Sequence, residues 1–301
     1  MLYQPSTSGL LYGGPGSGKT ALAVSSFYDW RTGTPVTDNA KLVTFGREDN
    51  PALAVPESYR QTEKGTSLRF SSPALDSMDW LERFEAVTDM LLHEASKGNC
   101  LDVLVVDGMS EFDLLFEEVF QSTNAGGDEF KKWNALLSQM FAIMIRLDPI
   151  ALGCTVLVTA RVMEKKKERR SNRSSIAGDP DFVDFDYYPS LRGSFRLHFP
   201  HYFNYVLYME TQMMRVTEGQ FEGKSLPAHI LNMVRTGDFY VKNQWEHQWL
   251  QAGEELQIIN PHFPNVHERM VNAMNLGVKV VLITLRLSLI HISEPTRLLS
   301  I

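Results

Sequence analysis

Gly13-Gly14-Pro15-Gly16-Ser17-Gly18-Lys19-Thr20 matches G-x-x-x-x-G-K-[ST] at every fixed position, a pattern that predicts a backbone cradle for phosphate oxygens. Several N–H donors must converge on one anion. Glycines at 13, 14, 16 and 18 let the chain approach where side chains would block it, with Pro15 and Ser17 completing the loop. Lys19 supplies a point charge, Thr20 offers a hydroxyl to Mg²⁺, and a helix starting there turns its positive end toward the anion. Gly9-Leu10-Leu11-Tyr12 reads as a short apolar strand before the loop, and Ala21 to Trp30 as a helix after it. Strand, loop and helix therefore come in the required order.

Outward from the loop, Leu42 to Phe45 is a second strand candidate and Ser67 to Phe70 a further short one. Leu81, Phe84, Thr88, Leu91 and Ala95 recur at helical spacing between Asp79 and Lys97, with Gly98 as the stop. The uninterrupted run Val103 to Val106 predicts a strand buried on both faces of a parallel sheet. Helices are expected over Glu111 to Gln121 and Asp128 to Leu147, the latter striped by Trp133, Leu137, Met140, Met144 and Leu147 and closed by Asp148-Pro149. Thr155 to Thr159 is the next buried strand. Ser174 to Phe203 reads as irregular, Tyr205 to Met209, Met214 to Thr217 and His229 to Arg235 as later strands, and the region after Gly237 as poorly patterned. This alternation argues for α/β architecture, a mostly parallel sheet flanked by helices over residues 1–240, with an extension over 241–286.

With 44% hydrophobic residues in 301, the chain can bury a substantial core. A net charge of -7 excludes a generally basic surface, so contact with nucleic acid must come from a local patch. Two cysteines, Cys100 and Cys154, each precede an apolar strand candidate and do not make a disulfide framework. The start of the chain carries no signal-like pattern, and the apolar stretch Val278 to Ile292 is broken by Lys279 and Arg286. The expectation is a soluble cytoplasmic protein without a membrane partner. Leu287 to Arg297, LSLIHISEPTR, resembles the in-frame translation of a sequencing-library adapter, so 287–301 is expected to be a non-native tail.

Asp107 ends the Val103 to Val106 run, the position from which a carboxylate holds the Mg²⁺ shell in nucleoside triphosphatases. Hydrolysis also needs a group that orients or deprotonates water. Glu48, just past the second strand candidate, is the first choice and Glu111 the second. Thr159 and Arg161 end the next strand, where a polar side chain can sense a γ-phosphate. From Arg161 to Arg173, seven basic residues stand against two acidic ones, and Lys165, Lys166, Lys167, Arg169, Arg170 and Arg173 form a candidate patch for DNA or RNA phosphates. Tyr187, Tyr188 and Phe195 are nearby candidates for stacking on bases, or for local core.

Taken together, GGPGSGKT, the Glu48 strand end, LDVLVVDG, and TVLVTARV followed by a basic segment resemble the RecA-like P-loop ATPases encoded by bacteriophages, most closely the Sak-type branch linked to single-strand annealing and recombination. YPSLRGS at Tyr188 to Ser194 and MVRTGD at Met233 to Asp238 are similar to weaker downstream features of that group. The resemblance implies a core in which one strand intervenes between the cradle strand and the Asp107 strand. It implies ATP with Mg²⁺, single-stranded DNA as partner, and self-assembly into a homo-oligomer, with phage recombination or single-strand-binding proteins as further partners. By position, Lys19 and Thr20 would bind phosphate and metal, Asp107 would hold the metal, Glu48 would polarise water, and the segment after Thr159 would face DNA. Two other classes share the cradle: a small-molecule phosphotransferase, with the Arg161 to Arg173 segment as its lid, and a non-hydrolysing module in which ATP switches DNA affinity. Recovery of the gene from its source DNA is expected to show the natural reading frame departing from this chain before Leu287; an intact stretch with a natural continuation would refute the adapter reading.

Overall fold

Ser8–Gly13 forms β1 and is buried at every position, as a strand walled in by neighbours on both sides must be. In this computed structural model, which describes residues 6–29, 31–37, 39–44, 66–67, 80–114, 129–164, 187–191, 198–217, 220–235 and 239–273, β1 sits inside a ten-stranded sheet. The remaining strands, in chain order, are β2 (Tyr28–Asp29) and β3 (Thr34–Pro35), which pair as a separate hairpin, then β4 (Ala40–Thr44), β5 (Thr66–Ser67), β6 (Val103–Asp107), β7 (Thr155–Glu164), β8 (Tyr187–Pro189), β9 (Tyr205–Arg215), β10 (Ser225–Asn232), β11 (Lys242–Asn243) and β12 (Gln257–Ile259). The order across the sheet is β12-β10-β9-β1-β7-β6-β4-β5, with β11 added on β9 and β8 on β7. From β9 to β5 every pairing is parallel, while β10, β11, β12 and β8 add antiparallel. The fold is thus mixed α/β with a mostly parallel central sheet, and β7 intervenes between β1 and β6.

Helices α1 (Lys19–Val24), α2 (Trp80–Ser96), α3 (Glu129–Arg146), α4 (Pro149–Leu152) and α5 (Glu246–Gln251) flank the sheet, and residues 109–114 and 263–273 are also helical. On α2 the buried stripe is Phe84, Val87, Thr88 and Leu91. Thr88 tolerates burial because its hydroxyl donates to the carbonyls of Phe84 at 3.0 Å and Glu85 at 2.9 Å. Gly98 ends this helix at φ 86°, with its N–H on the Ala95 carbonyl at 2.9 Å. α3 buries Met140, Ile143 and Met144, with Leu147 beyond its end.

Several expectations are corrected. The helix expected from Ala21 to Trp30 ends at Val24, because the Ser25 and Ser26 hydroxyls take the carbonyls of Leu22 at 2.6 Å and Ala23 at 2.5 Å, and the chain then turns into β2. Asp148-Pro149 opens α4 as well as closing α3: Pro149 takes the first helical position and the Asp148 carboxylate accepts from the Ile150 N–H at 3.1 Å. β7 runs on to Glu164, five residues past the expected Thr159, because β1 pairs with Ala160 and Arg161 and β8 pairs with Val162, Met163 and Glu164. Residues 187–189 are therefore a strand within the stretch expected to be irregular. Beyond Gly237, the chain returns to the sheet through β11 and β12 and contributes Trp249, Phe263, Val266, Met270 and Ala273 to the one buried core. Among the described residues, no helix is long and apolar enough to cross a membrane.

Gly9 on β1 faces Tyr205 on β9, and a Cβ added at Gly9 would lie 1.9 Å from the tyrosine ring. The ring occupies the room that a side chain would need. Gly9→Ala is therefore expected to lower stability by about 1–3 kcal/mol, read from urea denaturation; an unchanged midpoint would show that the ring can swing clear.

Candidate functional site

The glycine-rich loop leaves the carboxyl end of β1, the sheet edge on which parallel α/β proteins gather their ligands. Its backbone excludes a side chain at Gly13 and disfavours one at Gly18. A Cβ on Gly13 would stand 2.0 Å from the Met209 carbonyl oxygen on β9, a clash with backbone rather than with a movable side chain. Gly18 has φ 89° and caps α1 from the left-handed region, with the His229 ring 3.1 Å from where its Cβ would stand. Lys19 folds over the loop: its Nζ donates to the carbonyls of Gly13 at 3.0 Å and Gly14 at 2.7 Å and to Ser17 Oγ at 3.3 Å. Thr211 on β9 braces the loop from outside, its hydroxyl donating to the Gly16 carbonyl at 3.2 Å.

Opposite the loop lies Asp107, the last residue of β6 and only 6% exposed. A carboxylate so buried needs donors around it. Thr20 Oγ1 stands 3.1 Å from both of its oxygens, and the Thr159 hydroxyl donates to Oδ1. Thr159 in turn accepts from the Gly108 N–H at 3.0 Å. Both threonines reach Asp107 because α1 begins directly above β1 and because β7 is the strand beside β6. Just beyond, Ser110 Oγ donates to the Ser190 carbonyl at 2.7 Å and accepts from the Arg161 N–H at 2.9 Å, which clamps the start of the 109–114 helix to the far end of β7 and to the residue just past β8. Arg161 pairs with Glu111 through their charged ends.

These groups line a cavity of about 580 Å³ bounded by Gly16, Gly18, Lys19, Thr20, Asp107, Ser110, Glu111, Thr159, Arg161 and His229. Of the residues singled out from sequence, Pro15, Gly16, Gly18, Lys19, Thr20, Asp107, Glu111, Thr159 and Arg161 meet there, with Gly13, Gly14 and Ser17 forming the loop beneath. Arg161 lies within β7 and not in a loop past its end, and Glu111 is engaged by it. Glu48, Lys165, Lys166, Lys167, Arg169, Arg170, Arg173 and Phe195, like the tail from 287, lie outside the described residues. Tyr187 and Tyr188 belong to β8, where Tyr187 stacks on Tyr208 and packs against Phe239 with ring centroids 6.3 Å and 5.5 Å away.

The donor set suits Mg²⁺, a hard cation that takes oxygen ligands and in phosphate sites uses only one or two carboxylates beside substrate oxygens and water. Asp107 and Thr20 would hold it. Among the described residues, no group of three or more His, Cys, Asp or Glu side chains forms a metal site of protein ligands alone.

Sequence reading missed Ser110, Thr211 and His229. Ser110 carried a faint signal, three residues past a strand-ending aspartate. Thr211 and His229 carried none, since each meets the loop across about two hundred residues of chain.

No family model matches the chain, and no curated protein matches it significantly.

Thr159→Val keeps the side-chain shape and replaces the hydroxyl by a methyl, which takes one of the donors from Asp107 Oδ1 and the acceptor from the Gly108 N–H. Unfolding free energy is expected to fall by about 1–3 kcal/mol, with Thr159→Ser close to wild type by chemical denaturation. Equal stability of all three proteins would mean that water replaces the hydroxyl.

Proposed function

We propose that the chain is a RecA-like P-loop ATPase of phage type, binding ATP with Mg²⁺ and hydrolysing it while engaged with single-stranded DNA. The observation that carries this reading is the convergence of Lys19, Thr20, Asp107 and Thr159 on one cavity at the carboxyl edge of a parallel sheet. β7 between the cradle strand and the Asp107 strand is the order that the resemblance implies.

In this reading the loop N–H groups and Lys19 neutralise the outer phosphates. Bound Mg²⁺ supplies electrostatic stabilisation of the transferred phosphoryl group. Thr20 and Asp107 hold the metal, and Thr159 fixes the Asp107 carboxylate through its hydroxyl. Glu48 orients water, a role that Glu111 is less free to take while paired with Arg161.

DNA engagement rests on the basic run. Glu164 and Tyr187, the residues flanking segment 165–186, are register partners in the β7–β8 ribbon, three residues beyond Arg161 of the cavity. Phosphate binding by that segment therefore has a short mechanical route to the nucleotide cavity. Self-assembly along DNA, with recombination or single-strand-binding proteins as partners in the host cytoplasm, completes the proposal.

The test is ATP turnover with Mg²⁺, with and without single-stranded DNA. Stimulation by DNA is expected, and Lys19→Ala is expected to reduce turnover roughly 100-fold or more with an unchanged far-UV spectrum. Neutralising Lys165, Lys166, Lys167, Arg169 and Arg170 together should flatten the logarithmic salt dependence of DNA binding, its slope falling by roughly 0.7 for each DNA phosphate that the segment no longer neutralises. DNA-independent turnover that requires a nucleoside or nucleotide acceptor would select the phosphotransferase, tight ATP binding without turnover would select the switch module, and full activity of folded Lys19→Ala would refute the cradle.

A further inference from the structure

Beside the phosphate cavity lies a second one of about 380 Å³, and the two share Gly18, Ala21 and His229. They meet at the first turn of α1. The first holds the anion-binding and metal-binding groups, Lys19, Thr20 and Asp107; the second has none of these. Its walls include the apolar Leu22, Met209 and Pro261 and the polar Arg31, His229 and Asn260. An apolar slot with a few fixed polar groups is how proteins hold a flat heterocycle rather than an anion.

The polar groups come from three distant parts of the chain and are tied together. Asn260 Oδ1 accepts from the His229 N–H at 3.0 Å, and the Asn260 N–H donates to the His229 carbonyl at 2.6 Å. The Asn260 carbonyl accepts from an Arg31 guanidinium nitrogen at 2.6 Å. Asn260 adopts φ 48°, the left-handed region that few residues other than glycine enter at low cost. The His229 ring, packed on Gly18 and 3.3 Å by Nδ1 from the Thr211 hydroxyl, stands at the junction of the two cavities.

We infer that this second cavity is the nucleoside subsite, in which Arg31, His229 and Asn260 receive the base and ribose of a nucleoside triphosphate whose phosphates lie on Lys19 and Thr20. The inference rests on the nucleotide reading above and deepens it. It assigns ligand selectivity to segments 31 and 229–261, which lie outside the cradle motif. A nucleotide then binds as two connected parts, with His229 at the joint.

The experiment compares the affinity of the full chain for ATP and for inorganic triphosphate, both with Mg²⁺, by calorimetry, in wild type, Arg31→Ala and His229→Ala. Wild type is expected to prefer ATP. In each variant the ratio of ATP to triphosphate affinity is expected to fall on the order of tenfold, as is typical of removing one side chain that stacks on a base or meets its edge. Arg31 is exposed, so its truncation leaves the folded core intact. Equal losses for both ligands would overturn the subsite and make these residues supports of the loop. Wild type binding triphosphate as tightly as ATP would overturn the subsite alone. Wild type binding neither would overturn the nucleotide reading and the subsite with it.

Discussion

Two hydroxyls on one buried carboxylate hold the site together. Taking a carboxylate out of water costs several kcal/mol unless donors replace the lost hydration, and Thr20 and Thr159 are two such partners of Asp107. One rides on the helix that follows β1, the other on β7, and the carboxylate itself ends β6. The relative height of three segments is thereby fixed by one side chain. Displacing either hydroxyl would cost the buried carboxylate a donor, so the cradle, Asp107 and Thr159 keep their spacing as a unit.

What could be read from the residues follows from range. The cradle, the Val103 to Val106 strand and the α2 helix are written in consecutive or helically spaced residues, and each forms where its own neighbours dictate. The end of α1 was missed because two serines compete for backbone carbonyls that the helix pattern assumes to be committed. The last residues of β7 were missed because Arg161 and Glu164 have no strand character of their own; Arg161 is held by its partner Gly13 on β1, and Glu164 by β8, more than twenty residues later. The same holds after Gly237. Strands of two or three residues are too short to show a period, and they exist because β9 and β10 offer edges. Of the site, the motif residues and Asp107 were legible, whereas His229 and Thr211 reach the loop only through tertiary register.

The C-terminal part of the described chain also supports the cradle from behind. The Phe263 N–H donates to Ser25 Oγ at 2.8 Å, so the serine that ends α1 also anchors the start of the 263–273 helix. His262 meets Asp29 of β2 at 3.2 Å, and Arg31 reaches Asn260. The segment following β12 and the turn following α1 are consequently one packed unit, built from chain that the motif does not mention.

The seating of the Tyr205 ring over Gly9 makes those two positions a single steric unit shared between adjacent strands. In divergent copies of this chain a side chain at position 9 therefore costs least where position 205 has surrendered its ring, and the order of the two substitutions matters: shrinking 205 first opens a void that a later residue at 9 can fill, while enlarging 9 first sets its Cβ against the ring.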